Sequence, residues 1–292
     1  MAQTIAETGI SEYAAPTTLA EAAELMADGN ATVVAGGTDL MVQIEAGRRH
    51  YKDRLVNIRR VADMRGIEIV DDTVRIGALT TVTEVLNDPL LAEVAPVLRE
   101  TANRFASSQL RNMATLGGNI CNASPAGDTI IPMLLLDAEV ALTSWQGAPR
   151  SRYVPLADFF TGPSKTVIED TEILSEIRFA KPKPGFEARF RKSGPRPALE
   201  ISTVSAGFGA VVGADGLSGV RVALGAVAPV PYRARKTEAF LEGKALSAEV
   251  VEEAAGIAAG EVTPIDDVRS TAWYRTHLVR IFVRRLLNPE TA

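Results

Sequence analysis

Hydrophobic and polar positions recur along the first 180 residues with periods that alternate between helix and strand. The segment 18–29, TLAEAAELMADG, has apolar residues at helical spacing, follows a threonine and stops at Gly29, and therefore predicts an amphipathic helix. Short apolar runs at 31–40, 54–61 and 72–79 predict strands. Residues 80–105 predict helical segments that are interrupted by prolines.

Farther along the chain, the pattern becomes rich in strands. Residues 138–144 and 171–179 predict two more strands of the first part, and the proline-rich and glycine-rich segment 181–201 predicts a boundary with an extended crossing. Residues 187–193, at the boundary, and residues 202–212 and 217–227, after it, have the spacing of apolar positions that is typical of an antiparallel sheet. Residues 247–262 and 271–287 predict helices. We therefore expect an α+β protein with a ligand crevice in its first part and a smaller sheet-and-helix domain after it.

Composition and charge limit the classes of function. The chain has 292 residues, 46% of them hydrophobic, and carries 31 basic against 36 acidic residues without a block of like charge, so no nucleic-acid partner is expected. The N-terminal residues show no signal-peptide pattern. The longest apolar stretch, 129–142, is broken by Pro132, Asp137 and Glu139 and is too short to span a membrane. We expect a cytoplasmic protein.

Residues that could ligate metals are scarce. The chain has one cysteine, Cys121, and two histidines, His50 and His277, whereas iron–sulfur clusters and structural zinc need several such ligands. We therefore predict no metal on this chain and no catalytic side chain. For Cys121 we favour a packing role over a reactive thiol.

Two glycine pairs, Gly36-Gly37 and Gly117-Gly118, mark the candidate chemistry. The first pair follows an apolar run in VVAGGTDL (33–40), and the second lies in TLGGNICNASPAGD (115–128), whose composition is unsuited to an ordinary strand or helix. Glycines leave backbone amides unshielded, so we interpret each pair as a turn that cradles an anion, and both together as a site for a ligand with two phosphates. Asp128 could then accept hydrogen bonds from ribose or ribityl hydroxyls. The alternative is that each pair is only a turn.

The same two segments resemble the FAD-binding segments of the molybdenum hydroxylase family. The similarity is to the medium, flavin-carrying subunits of xanthine dehydrogenase-like and carbon monoxide dehydrogenase-like enzymes, and it extends over essentially the whole chain. It implies the FAD-binding fold of the vanillyl-alcohol oxidase and p-cresol methylhydroxylase type in two α/β subdomains, 1–58 and 59–180. A flavoprotein C-terminal domain, 181–292, would follow.

The resemblance also implies which residues contact FAD. They are Val33, Val34, Ala35, Gly36, Gly37, Thr38, Asp39 and Leu40 in the first segment, Thr115, Leu116, Gly117, Gly118 and Asn119 in the second, and Phe105, Asp128, Leu174 and Lys192 elsewhere. The two glycine segments would hold the pyrophosphate, and Asp128 would lie near the ribityl chain. Residues 193–200 depart from the arginine-rich version common in the family.

Three of these residues have an ordinary structural alternative. Phe105 would pack on the adenine, or be a core phenylalanine on a helix. Leu174 would lie beside the flavin ring, or be a strand leucine with no such role. Lys192 would favour a reduced, anionic flavin near the isoalloxazine, or be a solvated surface cation.

The resemblance implies partners as well. A large subunit would carry molybdopterin, a small subunit would carry two [2Fe–2S] clusters, and the three chains would form a heterotrimer or its dimer. FAD on this chain would accept electrons singly from a cluster and pass two to an external acceptor, for which NAD, oxygen and other carriers stay open. Two alternatives remain: a self-sufficient FAD oxidase whose C-terminal domain holds the substrate, and a regulatory module that binds a dinucleotide without redox chemistry.

Overall fold

The structure is a computed structural model that describes residues 9–196, 200–214 and 216–288. Its strands are β1 Glu12–Ala14, β2 Ala31–Val34, β3 Arg54–Asn57, β4 Ile67–Val70, β5 Thr73–Gly77, β6 Glu139–Trp145, β7 Pro149–Pro155, β8 Phe160–Gly162, β9 Lys165–Thr166, β10 Ile173–Ala180, β11 Phe186–Ser193, β12 Val204–Gly213, β13 Gly216–Gly225 and β14 Tyr232–Arg233. Its α-helices are α1 Leu19–Met26, α2 Leu40–Glu45, α3 Val82–Asn87, α4 Pro89–Val94, α5 Pro96–Asn103, α6 Ser108–Arg111, α7 Leu116–Asn122, α8 Ile130–Leu135, α9 Leu156–Phe159, α10 Arg235–Leu241, α11 Ala248–Glu261 and α12 Ala272–Leu287.

The described strands form three main sheets and a small pair. A parallel sheet has the order β1-β3-β2, and the crossovers that parallel strands need contain α1 between β1 and β2 and α2 between β2 and β3. An antiparallel sheet of order β4-β5-β10-β6-β7 follows, and the third sheet, also antiparallel, has the order β11-β12-β13-β14. The strands β8 and β9 pair with each other. The predicted α+β class and the antiparallel sheet-and-helix part near the C-terminus are confirmed.

Helix starts follow local signals that the sequence carries. Thr18 and Thr81 cap α1 and α3, and in each case a glutamate three residues on completes a capping box. Pro89 and Pro96 interrupt the predicted helical segment by starting α4 and α5, since proline fits the first turn of a helix.

The structure differs from the prediction most clearly at the second glycine pair. Residues 116–122 form α7, although the composition of this segment argued against a helix. The Thr115 side chain accepts the amide of Gly118 and caps the helix, and the amides of Leu116 and Gly117 donate to carbonyls of residues 80 and 78. These tertiary bonds offset the low helix propensity of two glycines. The elements without a sequence prediction are the strands β1, β4, β7, β8, β9 and β14 and the helices α6, α8, α9 and α10.

Helix α8 joins the two hydrophobic cores of the described residues. All of its residues are buried, and it packs against the antiparallel sheet of β12 and β13 as well as against the first core. Gly207 and Gly225 permit this approach, because a Cβ at either position would lie within 3.0 Å of the Ile131 side chain. No helix within these described residues is long and apolar enough to cross a bilayer.

Ile131→Ala tests this packing. The truncation leaves a cavity at the contact between α8 and the glycines of the third sheet, so the free energy of unfolding should fall by about 2–5 kcal/mol. Chemical denaturation of the purified chain measures the change. Val268→Ala is the control: Val268 is 99% exposed, and its truncation should change the stability by less than about 0.5 kcal/mol. Equal effects of the two substitutions would contradict the packing role.

Candidate functional site

A cavity of about 560 Å³ lies between the parallel sheet, α7 and the start of β10. Its volume falls within the range of small-molecule and cofactor sites. Most of the residues predicted to contact FAD line it, namely Val33, Ala35, Gly36, Gly37, Thr38, Asp39, Leu40, Phe105, Thr115, Gly117, Gly118, Asn119, Asp128 and Leu174. Val34, Leu116 and Lys192 are not part of the lining. The Leu116 side chain is buried in the core, and Lys192 forms an ion pair with Asp128.

The loop of residues 35–39 connects β2 to α2 and presents free backbone amides. Within the described part of the chain, the amides of residues 36–39 donate to no protein acceptor. Gly37 has φ +72°, which favours glycine, and a Cβ on Gly36 would overlap the carbonyl oxygen of Met113. The loop can therefore offer several N–H donors to an anion in the cavity, at the start of helix α2.

The segment of the second glycine pair does not offer free amides, and the expectation of two equivalent cradles is wrong. The amide of Leu116 donates to the Thr80 carbonyl at 3.0 Å, that of Gly117 to Ala78 at 2.9 Å, and those of residues 118 and 119 to Thr115. These amides therefore donate within α7, to its cap Thr115, or to the carbonyls that follow β5. The partners at residues 78 and 80 are distant in the sequence, so the glycine motif alone does not predict them.

Gly117 and Gly118 have different roles in this segment. A Cβ on Gly117 would lie 2.7 Å from the Cβ of Ala78, so this glycine allows α7 to pack on residue 78. At Gly118 a Cβ would meet only the Thr115 hydroxyl, at 2.8 Å, and the residue is exposed to the cavity. At Gly118 the segment therefore exposes helix surface that no side chain covers. The Thr115 hydroxyl and the Asn119 side chain lie beside it.

Short contacts hold the loop and α7 in one wall of the cavity. Gly36 packs against the backbone at Met113, immediately before the cap of α7. Gln43 of α2 donates from Nε2 to Oδ1 of Asn122 at the other end of α7, at 2.7 Å, and also bonds Asp39. The two glycine segments, far apart in the sequence, are therefore neighbours in space.

Asp128 and Lys192 form a buried ion pair at the edge of the cavity. Lys192 Nζ lies 2.6 Å from Asp128 Oδ2, and both side chains are 7% exposed. Ser202 donates from Oγ to Asp128 Oδ1 at 2.5 Å. Burial raises the pKa of the Asp128 carboxyl, and the Lys192 ammonium and the Ser202 hydroxyl oppose that rise. Lys192 is accordingly not a solvated surface cation.

Phe105 and Leu174 both line the cavity and both belong to the first core. Phe105 is half-buried and packs against that core, and Leu174, in β10, is buried within it. Phe105 follows the end of α5 and is not on a helix, as its alternative had assumed. Packing and a cavity role are compatible for both residues, since each side chain contributes to the core and presents a face to the cavity.

Several lining residues escaped the sequence analysis. Arg49 and Lys52 bring positive charge to the cavity from the segment before β3, and His50 lines the cavity between them in the chain. Lys52 Nζ forms an ion pair with Asp170 Oδ1 at 2.7 Å and donates a hydrogen bond to the carbonyl of Gly29. No local motif marks these residues, because their position depends on how the connection after α2 folds back.

Two further lining residues, Glu172 and Cys121, have shifted pKa values. For Glu172, burial raises the pKa, but the Arg152 guanidinium and the amide of Glu169 outweigh it and hold the pKa below its usual range. Burial raises the pKa of the Cys121 thiol to about 12, so the thiol stays protonated near neutral pH and is a poor nucleophile. This agrees with the packing role favoured for Cys121.

Comparisons with known proteins agree over nearly the whole chain. Residues 7–182 match the family described as the FAD binding domain in molybdopterin dehydrogenase, and residues 189–289 match the CO dehydrogenase flavoprotein C-terminal domain. A xanthine dehydrogenase FAD-binding subunit of Escherichia coli is 32% identical over 288 residues, which are 97% of this chain and 96% of that protein. The carbon monoxide dehydrogenase medium chain of Hydrogenophaga pseudoflava is 32% identical over 287 residues, which are 96% of this chain and 97% of the relative.

Solved structures show the same similarity. A chain of carbon monoxide dehydrogenase from Hydrogenophaga pseudoflava, in a form lacking the Mo-pyranopterin moiety of the molybdenum cofactor, superposes with a TM-score of 0.90 at 31% identity and 96% coverage of both chains. A chain of quinoline 2-oxidoreductase from Pseudomonas putida gives a TM-score of 0.85 at 27% identity, with 94% of this chain and 95% of that chain covered.

Proposed function

Because the chain belongs to the family of FAD-binding medium subunits of molybdopterin dehydrogenases, we propose that it is the flavin electron-transfer subunit of a molybdenum hydroxylase. It is a subunit of an oxidoreductase rather than a complete enzyme. In this proposal a large partner carries the molybdenum cofactor, a small partner carries two [2Fe–2S] clusters, and the three chains form a heterotrimer or its dimer.

The observation that carries the proposal is the set of free amides in residues 36–39. A diphosphate needs several hydrogen-bond donors without intervening side chains, and this loop supplies them at the wall of a cavity of cofactor size. The start of α2 adds a favourable dipole for negative charge. We assign the FAD diphosphate to this loop, with Val33, Ala35 and Leu40 completing the pocket around it.

The remaining contacts follow from what faces the cavity. Gly118 lets the ligand approach α7 closely, and Thr115 and Asn119 offer polar side chains there. Asp128 accepts hydrogen bonds from the ribityl chain. We further assign the adenine to Phe105 and the flavin ring to Leu174. Lys192, predicted to lie near the isoalloxazine, does not line the cavity, so in this proposal it acts on the ligand through its ion pair with Asp128.

FAD, when bound, supplies a carrier that takes up electrons singly and releases two together. The chain's own residues hold it: the loop amides bind the diphosphate, the apolar faces of Phe105 and Leu174 exclude water, and Asp128 orients the sugar-like chain. A [2Fe–2S] cluster needs four ligands, mostly cysteines, whereas this chain has one cysteine. The clusters therefore belong to a partner, and an external acceptor receives the electrons.

We propose that the chain divides into FAD-binding subdomains 1–58 and 59–180 and a C-terminal domain 181–292. The three main sheets support this division, because each lies within one of these ranges. The cavity lining draws residues from all three ranges, with Glu200 and Ile201 from the last.

Purification of the tagged chain from its native host tests the assembly. We expect two further chains to accompany it, with FAD released on denaturation and with the absorption of iron–sulfur clusters beside that of the flavin. The chain alone, loaded with FAD, should not turn over a reducing substrate at a useful rate. Rapid substrate oxidation by the isolated chain would contradict the proposal and favour a self-sufficient oxidase, and absence of FAD would favour a regulatory module.

Gly118→Val tests the assignment of the cavity. The new side chain must displace the Thr115 hydroxyl and project into the space of the ligand, so FAD retained per chain should fall by about tenfold or more, as expected for a steric cost of about 1–3 kcal/mol. Flavin absorbance of the purified chain measures retention, and circular dichroism checks the fold.

Gly256→Val is the matched control for this substitution. Gly256 lies in α11, exposed and with open space around its Cβ position, so valine there should leave FAD retention unchanged. Normal flavin content in Gly118→Val would show that the ligand does not approach α7 at this residue.

A further inference from the structure

The segment that follows β11 contains Ser202, whose buried hydroxyl bonds to a residue at the cavity edge. Ser202 is 1% exposed and does not line the cavity, yet its Oγ donates to Asp128 Oδ1 at 2.5 Å. The carbonyl of Glu200 in the same segment lies 3.4 Å from Lys192 Nζ. One short segment of the C-terminal part therefore contacts both members of the ion pair.

The two partners of Asp128 leave part of its carboxylate unused. A carboxylate has about four lone-pair sites, and Ser202 takes one on Oδ1 while Lys192 takes one on Oδ2. Neither partner belongs to the cavity lining, whereas Asp128 itself lines it. Among the described residues, no other donor bonds to this carboxylate, so its remaining sites can accept from donors within the cavity.

We propose that Ser202 is a positioning residue of the FAD site, which fixes Asp128 as an ionised acceptor for the hydroxyl groups of the ribityl chain. This inference rests on the proposed function and adds a residue that no glycine motif marks. Ser202 does not touch the ligand; it acts through the orientation and charge of Asp128.

Opposing effects act on the pKa of Asp128. Burial raises it, Lys192 from β11 and the Ser202 hydroxyl lower it, and the Glu200 carboxylate raises it weakly, so that the pKa lies above its ordinary value. Removal of the Ser202 donor therefore raises the pKa of Asp128 further. Because a protonated carboxyl loses acceptor capacity, FAD affinity in such a variant should be lost at a higher pH than in the parent chain as the pH falls.

A neighbouring buried serine, Ser205, provides a control for the loss of a buried hydroxyl group that does not contact Asp128. Ser205 of β12 is fully buried, and within the described residues its Oγ has no hydrogen-bond partner. Ser205→Ala therefore makes the same chemical change three residues away without touching Asp128.

The experiment measures FAD and ADP binding to the full chain by flavin fluorescence and calorimetry between pH 5 and 8. ADP has the diphosphate and adenosine but no ribityl chain. For Ser202→Ala we expect about tenfold weaker FAD binding and an upward shift of about one unit in the pH at which affinity is lost, with ADP binding unchanged. Ser202→Thr should restore affinity and pH profile, Ser202→Cys, a weaker donor of similar shape, should shift both in the direction of alanine, and Ser205→Ala should match the parent chain.

Equal weakening of FAD and ADP by Ser202→Ala, or an unchanged pH profile in both the alanine and cysteine variants, would overturn the role of Ser202 and leave the proposed function intact. A parent chain that binds no FAD would instead overturn the proposed function itself.

Discussion

The close approach of two glycine backbones to their neighbours is the constraint on which the site depends. Gly36 packs against the carbonyl of Met113, and Gly117 packs against Ala78, at distances that no Cβ would permit. These contacts place the loop after β2 beside the start of α7, so one wall of the cavity is built from segments about eighty residues apart. In each pair the second glycine lines the cavity, where Gly37 adopts a positive φ and Gly118 exposes the surface of α7 without a side chain.

The two segments nevertheless contribute different chemistry. The amides of α7 are used by Thr115 and by the strand end at residues 78–80, whereas those of residues 36–39 are free among the described residues. The loop therefore offers backbone N–H donors to the cavity, whereas α7 offers a surface that a ligand can approach closely. The C-terminal part adds Lys192 and Ser202, which donate hydrogen bonds to Asp128 and do not line the cavity themselves.

Local signals in the sequence predicted much of this arrangement. The threonine before α1 marked a helix start correctly, Pro89 and Pro96 divide the helical segment as predicted, and the glycine pairs marked two segments that line the cavity. The helix α7 was missed because tertiary hydrogen bonds offset the low propensity of its glycines. Arg49, Lys52 and Ser202 were missed for a related reason: each reaches the site through the path of the chain in space, which no periodicity or short motif encodes.

We propose that the free amides of residues 36–39 hold the FAD diphosphate, while those of α7 stay bonded within the protein. Amide proton shifts in two-dimensional NMR during titration with FAD distinguish the two segments. We expect large downfield shifts for residues 36–39, as new hydrogen bonds to phosphate oxygens form, and smaller shifts for residues 116–119. Large downfield shifts at 116–119 with little change at 36–39 would contradict it.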